Sequence, residues 1–390
     1  MIKNFEAFKE FCLVHKNVKK CVLRADLNLP SGIEDLSRIY AIRDTVLDVL
    51  GMGLNVILIS HYKRPSIEDV SNQKYSLRNI VDKVSRVLNE DVHFIGDSIF
   101  DIAPDSVNSK ITLLENLRFY DGETKNDSKL AERLSKFGDV YINDAFSVSH
   151  RKHASVCAIT EYLPSFAGYS LMREIKGISK VTSNIARPFT AIIGGSKISS
   201  KIEVLQQISK TADNLIIAGA MANTFLAATG VDMQKSLVEP DQFEMAKKIL
   251  GESAADIVLP MDFLVAGDIS EMGKNHGIHE IPEGFACFDI GGESVRAMSG
   301  IIGKSKTLLW NGALGAFEFS NFNKSSEVIA KFVADKTSND GMISIIGGGE
   351  TVASLGNYRD DMTFISTAGG AFLEFVAGYE LPGVASLSSD

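Results

Sequence analysis

The sequence predicts an α/β protein built from two parallel-sheet domains joined by a helix. Three observations predict it. At 390 residues the chain is too long for one ordinary domain. Short apolar runs alternate with longer segments whose apolar residues recur at helical spacing, the pattern of βαβ units. After Pro164 the alternation gives way to one helical stretch and a polar link, and then it restarts.

In the first domain, residues 20–24, 55–59, 111–114 and 140–143 read as strands, each an apolar run too short for a helix. Between the first two, Ile39, Ile42, Val46 and Val49 or Leu50 fall on one helical face, and Gly51 and Gly53 punctuate its end. Residues 171–180 form the joining helix, followed by Thr182, Ser183 and Asn184. In the second domain, residues 189–193, 215–218, 257–259, 307–310, 343–346 and 363–365 read as strands. The polar segment 268–284 carries two histidines and reads as a loop or small hairpin. Parallel strands aim their C-terminal ends at one crevice, so ligand groups are expected just beyond those ends.

Composition narrows the function. Hydrophobic residues at 45% and charged residues at 23% are globular values, which excludes a disordered chain. The best uncharged apolar run, residues 215–222, has eight residues, far short of the roughly 20 that span a bilayer. The opening residues scatter acids and bases through their apolar positions, unlike a signal peptide. Cys12, Cys21, Cys157 and Cys287 stand far apart with no CxxC pair. A reduced, soluble, cytoplasmic protein is expected. A net charge of -9 argues against a nucleic-acid or membrane partner. Residues 1–166 hold 22 Lys and Arg against 23 Asp and Glu, so eight of the nine excess negative charges lie beyond them. A small anion is therefore expected on the first domain.

The residues just past each strand of this domain point the same way. Arg24 leads into Asp26, Asn28 and Pro30, and Ser37-Arg38 opens the first helix. The second strand ends in Ser60-His61-Tyr62-Lys63-Arg64-Pro65 and the third in Glu115-Asn116-Leu117-Arg118-Phe119. The fourth ends in Asn143-Asp144, followed by His150-Arg151-Lys152-His153. One arginine is usually a solvated surface group. Arg38, Arg64, Arg118 and Arg151 beside successive strand ends imply a small, multiply anionic ligand, because the planar guanidinium suits phosphate and carboxylate. His150 and His153 have metal-ligand spacing without a third ligand nearby, so hydrogen bonding or a structural role fits them better.

The second domain's strand ends are rich in glycine. Gly194-Gly195-Ser196-Lys197 is followed by Lys201; a helix starting near Ser196 places both lysines on one face of its first turns. Cations there oppose the helix dipole unless a bound anion compensates. The plain alternative is two solvated lysines. Ile346-Gly347-Gly348-Gly349-Glu350-Thr351 reads as a strand, a phosphate-cradling turn and a new helix. Glu350 is placed to hold a cation bridging phosphates and Thr351 to donate to one; the alternative is a merely tight turn. Asn311 and Glu318 sit in a further strand-end loop suited to a ribose or base edge. Neither GxxxxGK[ST] nor GxGxxG is present, which disfavours a standard dinucleotide fold.

Eleven segments in order carry a resemblance. They are RADLNLP (24–30), SRI (37–39), SHYKRP (60–65), LLENLRF (113–119), NDAFSVSHRKHAS (143–155) and RPFTAIIGGSKISSKI (187–202). AGAMANTFL (218–226), LPMDFLVA (259–266), WNGALGAFEF (310–319), IIGGGETVASL (345–355) and STAGGAFLEFVAGYELPGV (366–384) complete the set. The chain resembles the phosphoglycerate kinases along essentially its whole length. The resemblance implies two Rossmann-like domains facing across a cleft. Residues 1–166 would form the phosphoglycerate-binding domain, 167–186 an interdomain helix and link, and 187–370 the nucleotide-binding domain. Residues 371–390 would be a tail returning to the first. It implies reversible phosphoryl transfer between 1,3-bisphosphoglycerate and ADP, giving 3-phosphoglycerate and ATP, with Mg²⁺, in a monomer.

By motif position the resemblance assigns Asp26, Asn28, Arg38, His61, Tyr62, Lys63, Arg64, Arg118 and Arg151 to the phosphoglycerate. Lys197, Lys201, Gly292, Asn311, Glu318, Gly347, Gly348, Gly349, Glu350 and Thr351 go to the nucleotide, its phosphates and the metal, with Glu350 the metal ligand. Arg38, Lys197, Gly349 and Gly370 are expected to touch the migrating phosphoryl group. Its acceptor is a carboxylate or an ADP oxygen, already ionised, so no general base is required. Catalysis reduces to alignment and charge neutralisation, with closure about residues 165–180 excluding water. Some residues depart from the family pattern. Glu350 stands in place of Asp, Ala218, Ala220 and Ala368 in place of Gly, and Tyr62-Lys63 in place of Leu-Gly. Gly292-Glu293 replaces a Pro-Lys pair, and WNGALG lacks a proline. These departures favour a second reading, a weakened relative that binds nucleotide as a sensor. Retention of Arg38, Lys197 and Lys201 favours the active enzyme.

Overall fold

The computed structural model describes residues 1–29, 35–71, 73–183 and 185–388; Pro30 and Asn184 lie outside them. The chain divides into two compact units, Met1–Lys176 with Glu380–Asp390, and Gly177–Tyr379.

The first unit holds β1 (Lys20–Arg24), β2 (Asn55–Ile59), β3 (Val92–Ile95), β4 (Ile111–Leu114), β5 (Val140–Asn143) and β6 (Ser165–Ala167). They form one parallel sheet in the order β3-β4-β2-β1-β5-β6. β4 and β5 are buried at every residue and β1 and β2 at all but the first, as expected of strands covered by helices on both faces. β1 pairs with both β2 and β5, so the strand order reverses at β1 and three C-terminal ends open side by side. On the helix Ser37–Gly51, Ile39, Ile42, Val46 and Val49 are buried in one core with Leu23 and Leu58. The helix Phe5–Val14 buries Phe5 against Tyr169 and Phe8 against Phe166, ring centroids 4.3 and 5.6 Å apart. Each ring so buried stabilises by about 1.5–3 kcal/mol. Residues 380–388 join this unit: Gly383 N–H donates to the Ser149 carbonyl at 2.8 Å, and Asn143 Nδ2 donates to the Gly383 carbonyl at 3.2 Å.

The joining helix is longer than expected, Tyr169–Thr182. Asp144 explains its start. The carboxylate accepts from Leu171 N–H at 3.0 Å and from the Thr45 hydroxyl at 2.6 Å, while Thr45 Oγ1 accepts from Tyr169 N–H at 3.1 Å. The free amides of the first turn are thus satisfied by residues the sequence pattern does not place there.

The second unit holds β7 (Phe189–Ile193), β8 (Asn214–Ile217), β9 (Asp256–Val258), β10 (Asp262–Ala266), β11 (Lys274–Gly277), β12 (Ala286–Ile290), β13 (Thr307–Asn311), β14 (Ile343–Gly347) and β15 (Phe364–Ser366). Six form a parallel sheet in the order β15-β14-β13-β7-β8-β9, and β11-β10-β12 form a small antiparallel one. The segment read as a loop or hairpin supplies β11. Sequence reading misses β3, β6, β10 and β12. β3 is broken by an exposed His93, β6 has three residues, and β12 turns an acid, Asp289, inward where an apolar residue would mark the period of two.

Candidate active site

In the first unit, the strand ends place a cationic cluster around one buried histidine. Arg24, at the end of β1, is fully buried. Its guanidinium donates to Ser155 Oγ (2.9 Å), the Ala25 carbonyl (2.6 Å) and His61 Nδ1 (3.2 Å), and lies 3.9 Å from Glu123. Arginine has no acceptor, so His61 Nδ1 accepts and the proton sits on Nε2. Burial, then the charges of Arg24, Arg118, Arg151 and Arg38, hold His61 well below the usual histidine range. His61 is thus a neutral N–H donor among four guanidiniums.

Asp26 and Asn28 act as braces. Asp26 accepts from Arg38 Nη1 and from the Ser147 hydroxyl, each at 2.5 Å, and Asn28 Oδ1 accepts from Lys63 N–H at 2.9 Å. Lys63 has a φ of 56°, the left-handed region that favours glycine, and its carbonyl accepts from Arg118 Nη1. Its Nζ stands 5.3 Å over the Tyr62 ring. Asn116 locks this turn to Arg118: Oδ1 accepts from Tyr62 N–H (3.0 Å) and Arg118 N–H (3.1 Å), and Nδ2 donates to the Tyr62 carbonyl (2.8 Å). Burial, then the charges of Arg151, Arg24 and Arg64, push Arg118 down to about 10. Its Nε is buried with no hydrogen-bond partner, a donor awaiting an acceptor. Arg64 is exposed and Arg151 half-buried. Burial, then Arg151 and His153, push His150 down to about 4, so it carries no charge into the cluster at neutral pH. Arg24, Asn116, Glu123 and Ser147 were not expected in this role. A charged Arg24 closing an otherwise apolar strand was the available signal.

In the second unit, β7, β8, β13 and β14 all end in glycine-bearing turns. Gly194 N–H donates to the Asn311 carbonyl at 2.8 Å and Gly219 N–H to the Leu314 carbonyl at 3.0 Å. The turns after β7 and β13 touch through bare backbone: a Cβ at Gly194 would stand 2.2 Å from the Ala313 carbonyl oxygen, and one at Gly312 2.2 Å from the Gly194 oxygen. Lys201 Nζ donates to the Gly194 carbonyl (2.7 Å) and Asn311 Oδ1 (2.9 Å). Asn311 Nδ2 donates to the Gly347 carbonyl at 2.6 Å. Thr351 Oγ1 accepts from Gly312 N–H (2.7 Å) and donates to the Gly347 carbonyl (2.8 Å). Asn311 and Thr351, expected to face ribose or phosphate, are both buried and spend these groups on tying β13 to β14.

The two lysines do not share a helical face. The helix begins at Ile202, Lys197 is exposed in the preceding loop, and Lys201 is half-buried. Glu239 is the reason. Its carboxylate accepts from Ile198 N–H (2.5 Å), Ser199 N–H (3.3 Å) and the Ser199 hydroxyl (2.5 Å), satisfying the loop's amides outside a helix. Burial pushes the Lys201 ammonium down to about 8, with Glu350 opposing the shift. The cation is present below about pH 8 and lost above it. If it serves the phosphates, kcat/KM for nucleotide is expected to fall about tenfold per pH unit on the alkaline side, and Lys201→Arg, which stays charged, to flatten that limb. A parent profile flat through the alkaline range removes Lys201 from phosphate binding.

A cavity of about 720 Å³ opens beside these turns, lined by Gly219, Ala220, Phe263, Cys287, Leu314, Glu318 and Glu350 among others. Gly349 and Glu350 open the helix Gly349–Ser354; both are exposed. Gly369 stands beside Gly348, and Gly370 follows it, exposed, in the first turn of the helix Gly369–Val376. Gly292 does not line the cavity. The first turn of its helix is already capped by Asp262, which accepts from Glu293 N–H (3.0 Å) and Ser294 N–H (2.8 Å). Ala218 and Ala368 have φ of -136° and -81°, where a Cβ costs nothing, so neither requires the glycine it replaces. Among the described residues no group of three His, Cys, Asp or Glu could hold a metal ion, so a cation at Glu350 would have no protein cluster around it. A carboxylate donor fits Mg²⁺ shared with phosphate oxygens and water.

The family model described as phosphoglycerate kinase matches residues 13–379. The chain belongs to the phosphoglycerate kinase family. The phosphoglycerate kinase of Sinorhizobium medicae is 41% identical over 94% of this chain and 95% of its own length. That of a Wolbachia from Drosophila simulans is 40% identical over 97% of each chain. Solved phosphoglycerate kinases from Coxiella burnetii and Pyrococcus horikoshii superpose with TM-scores of 0.77 and 0.81 at 33% and 28% identity, each covering 95% of this chain and 96% of its own. As a phosphoglycerate kinase the chain is an ATP-binding phosphotransferase of glycolysis, moving a phosphoryl group reversibly between 1,3-bisphosphoglycerate and ADP. Among the described residues no helix is long and apolar enough to cross a membrane.

Proposed function

We propose that the first unit's cluster binds the phosphoglycerate and the second unit's cavity and turns bind the nucleotide, with transfer driven by charge neutralisation. The observation that carries this is the buried, unpartnered Nε of Arg118 within a ring of guanidiniums around neutral His61. Asp26 and Glu123 offset part of this charge, and an anion that takes the remaining donors offsets the rest. Asp26 and Asn28 brace Arg38 and Lys63, while Tyr62, Arg64 and Arg151 complete the wall.

On the nucleotide side, Glu318 and Glu350 line the cavity, and Gly347, Gly348 and Gly349 form the turn beside it. Lys201 and Asn311 hold that turn, and exposed Lys197 reaches the phosphates. Mg²⁺ held by Glu350 would neutralise phosphate charge. The acceptor oxygen is ionised before it attacks, so no residue has to remove a proton. Arg38, Lys197 and the amides of Gly349 and Gly370 stabilise the charge spread over the migrating group.

Placing the substrates on separate units requires closure about residues 165–180, which also protects the acyl phosphate from water. Small-angle scattering is expected to show compaction with both substrates bound and less with either alone; an unchanged radius of gyration removes closure from the mechanism. The enzyme is proposed to act as a cytoplasmic monomer.

A further inference from the structure

A separate cavity, of about 330 Å³, opens in the first unit beside its edge strand β3, just past the C-terminal ends of β3 and β4. It shares no lining residue with the cationic cluster around His61. Its volume lies at the lower end of what small-ligand sites occupy. Two opposite charges on its wall have no partner in the chain. Arg78, in the short helix Leu77–Ile80, lays its guanidinium over the Phe94 ring, the central carbon 4.6 Å from the ring centroid. Stacking fixes the plane of the group and leaves its in-plane N–H donors open. Among the described residues that guanidinium makes no hydrogen bond or ion pair, and neither does the Asp97 carboxylate, two residues past β3. Gly96 keeps this corner clear: a Cβ there would stand 3.0 Å from Phe94 Cε1 and 3.5 Å from Arg78 Nη2.

The cavity's other acid is already spent. Glu115, 5% exposed, accepts from the Ser76 hydroxyl at 2.6 Å, Leu77 N–H at 2.8 Å and Asn116 N–H at 2.7 Å. One open guanidinium and one open carboxylate therefore set the ligand's chemistry. A phosphate would meet Arg78 but also two carboxylates, and a simple cation would leave Arg78 unmet. A small zwitterion answers both. We propose that this cavity binds an α-amino acid, its carboxylate on Arg78 and its ammonium on Asp97, with Gln73 and His93 offering hydrogen-bonding groups to the rest of the molecule. Occupancy reaches the cationic cluster through Glu115. That carboxylate ties Ser76 and Leu77 to Asn116, whose side chain in turn holds Arg118 N–H and both main-chain polar groups of Tyr62. A ligand joining Arg78 to Asp97 clamps the segment that carries Ser76 and Leu77, and so steadies the turn that presents Arg118. This coupling rests on the cluster being the phosphoglycerate site; the binding does not.

The test is calorimetric titration of the whole protein with each proteinogenic L-amino acid in turn. At least one is expected to give a saturable one-site isotherm with a Kd below about 1 mM. Acetate and methylammonium, which each carry half of the zwitterion, are expected to bind about tenfold more weakly or worse. Arg78→Gln and Asp97→Asn are each expected to weaken the amino acid about tenfold or more and to leave kcat in its absence unchanged. The proposal is overturned if no amino acid binds below about 10 mM, if acetate binds as well as the amino acid, or if binding survives both substitutions. With the amino acid bound, KM for 3-phosphoglycerate is expected to fall by about two- to fivefold. If that KM does not move, Arg118→Ala decides which idea falls. A raised KM in that variant keeps the phosphoglycerate cluster and removes the coupling; an unaltered one removes the cluster reading itself.

Discussion

Alanine at Arg38 or at Lys197 is expected to lower kcat by about 10²–10³-fold while each substrate's affinity changes by less than about tenfold. The asymmetry follows from the chemistry. Both ground-state ligands already carry full charges that several other groups address, so one lost cation among many weakens binding modestly. The migrating phosphoryl presents its equatorial oxygens only briefly, and a donor that meets them then acts on the barrier alone. Arg38 is held ready by the 2.5 Å contact of its Nη1 with Asp26, and Lys197 by a loop whose amides Glu239 fixes. A coupled assay with 3-phosphoglycerate, MgATP and an NADH-linked partner enzyme measures the loss. A variant that raises KM with kcat intact would move that residue from the transition state to ground-state binding. Arg38→Lys is expected to recover little, because an ammonium cannot reproduce the planar fork.

Glu123→Ala is expected to destabilise the first unit by about 3–5 kcal/mol, because removing one member of a buried ion pair strands the other. Glu123 and Arg24 are both fully buried. Burial alone would raise the Glu123 carboxyl. His153, whose Nδ1 lies 3.7 Å from the carboxylate, the charge of Arg24 and the hydrogen bond from Ser155 outweigh it and hold the carboxyl below its usual value. A depressed carboxyl stabilises fully above the ordinary glutamate range and loses that contribution as pH falls through and below it. The difference between parent and variant should therefore shrink on acidification. Urea unfolding of the first unit's transition at neutral and acid pH measures both; a loss under about 1 kcal/mol at neutral pH would show that Arg24 finds other partners. KM for 3-phosphoglycerate should rise as well, because Arg24 sets the tautomer of His61.

Much of the fold was legible because parallel strands covered on both faces leave short, unbroken apolar runs. Five of them, β1, β2, β4, β5 and β7, have the bounds read from sequence. The antiparallel β10–β12 sheet was not legible, since its burial pattern is interrupted by inward acids such as Asp289. Arg64, Arg118 and Arg151 stood out because each follows a strand end, and Arg38 because it opens the helix after β1. The groups that orient them could not, because those contacts join distant positions: Arg24 to Ser155, Asn116 to Tyr62, Ser147 to Asp26. In the second unit, glycine turns were visible, but the apolar wall of Phe263, Leu314 and Cys287 reads as ordinary core until the cavity is seen.

The backbone contact between Gly194 and Gly312 also limits which variants the enzyme can explore. Each position forbids a side chain because of the other's turn, so no single codon change at either site gives a chain that folds the same way. Drift can reach Ala218 and Ala368, where the extended backbone accepts a methyl group. At Gly194 and Gly312 it stops, and a library built to reshape this cavity should spend its diversity elsewhere on the wall.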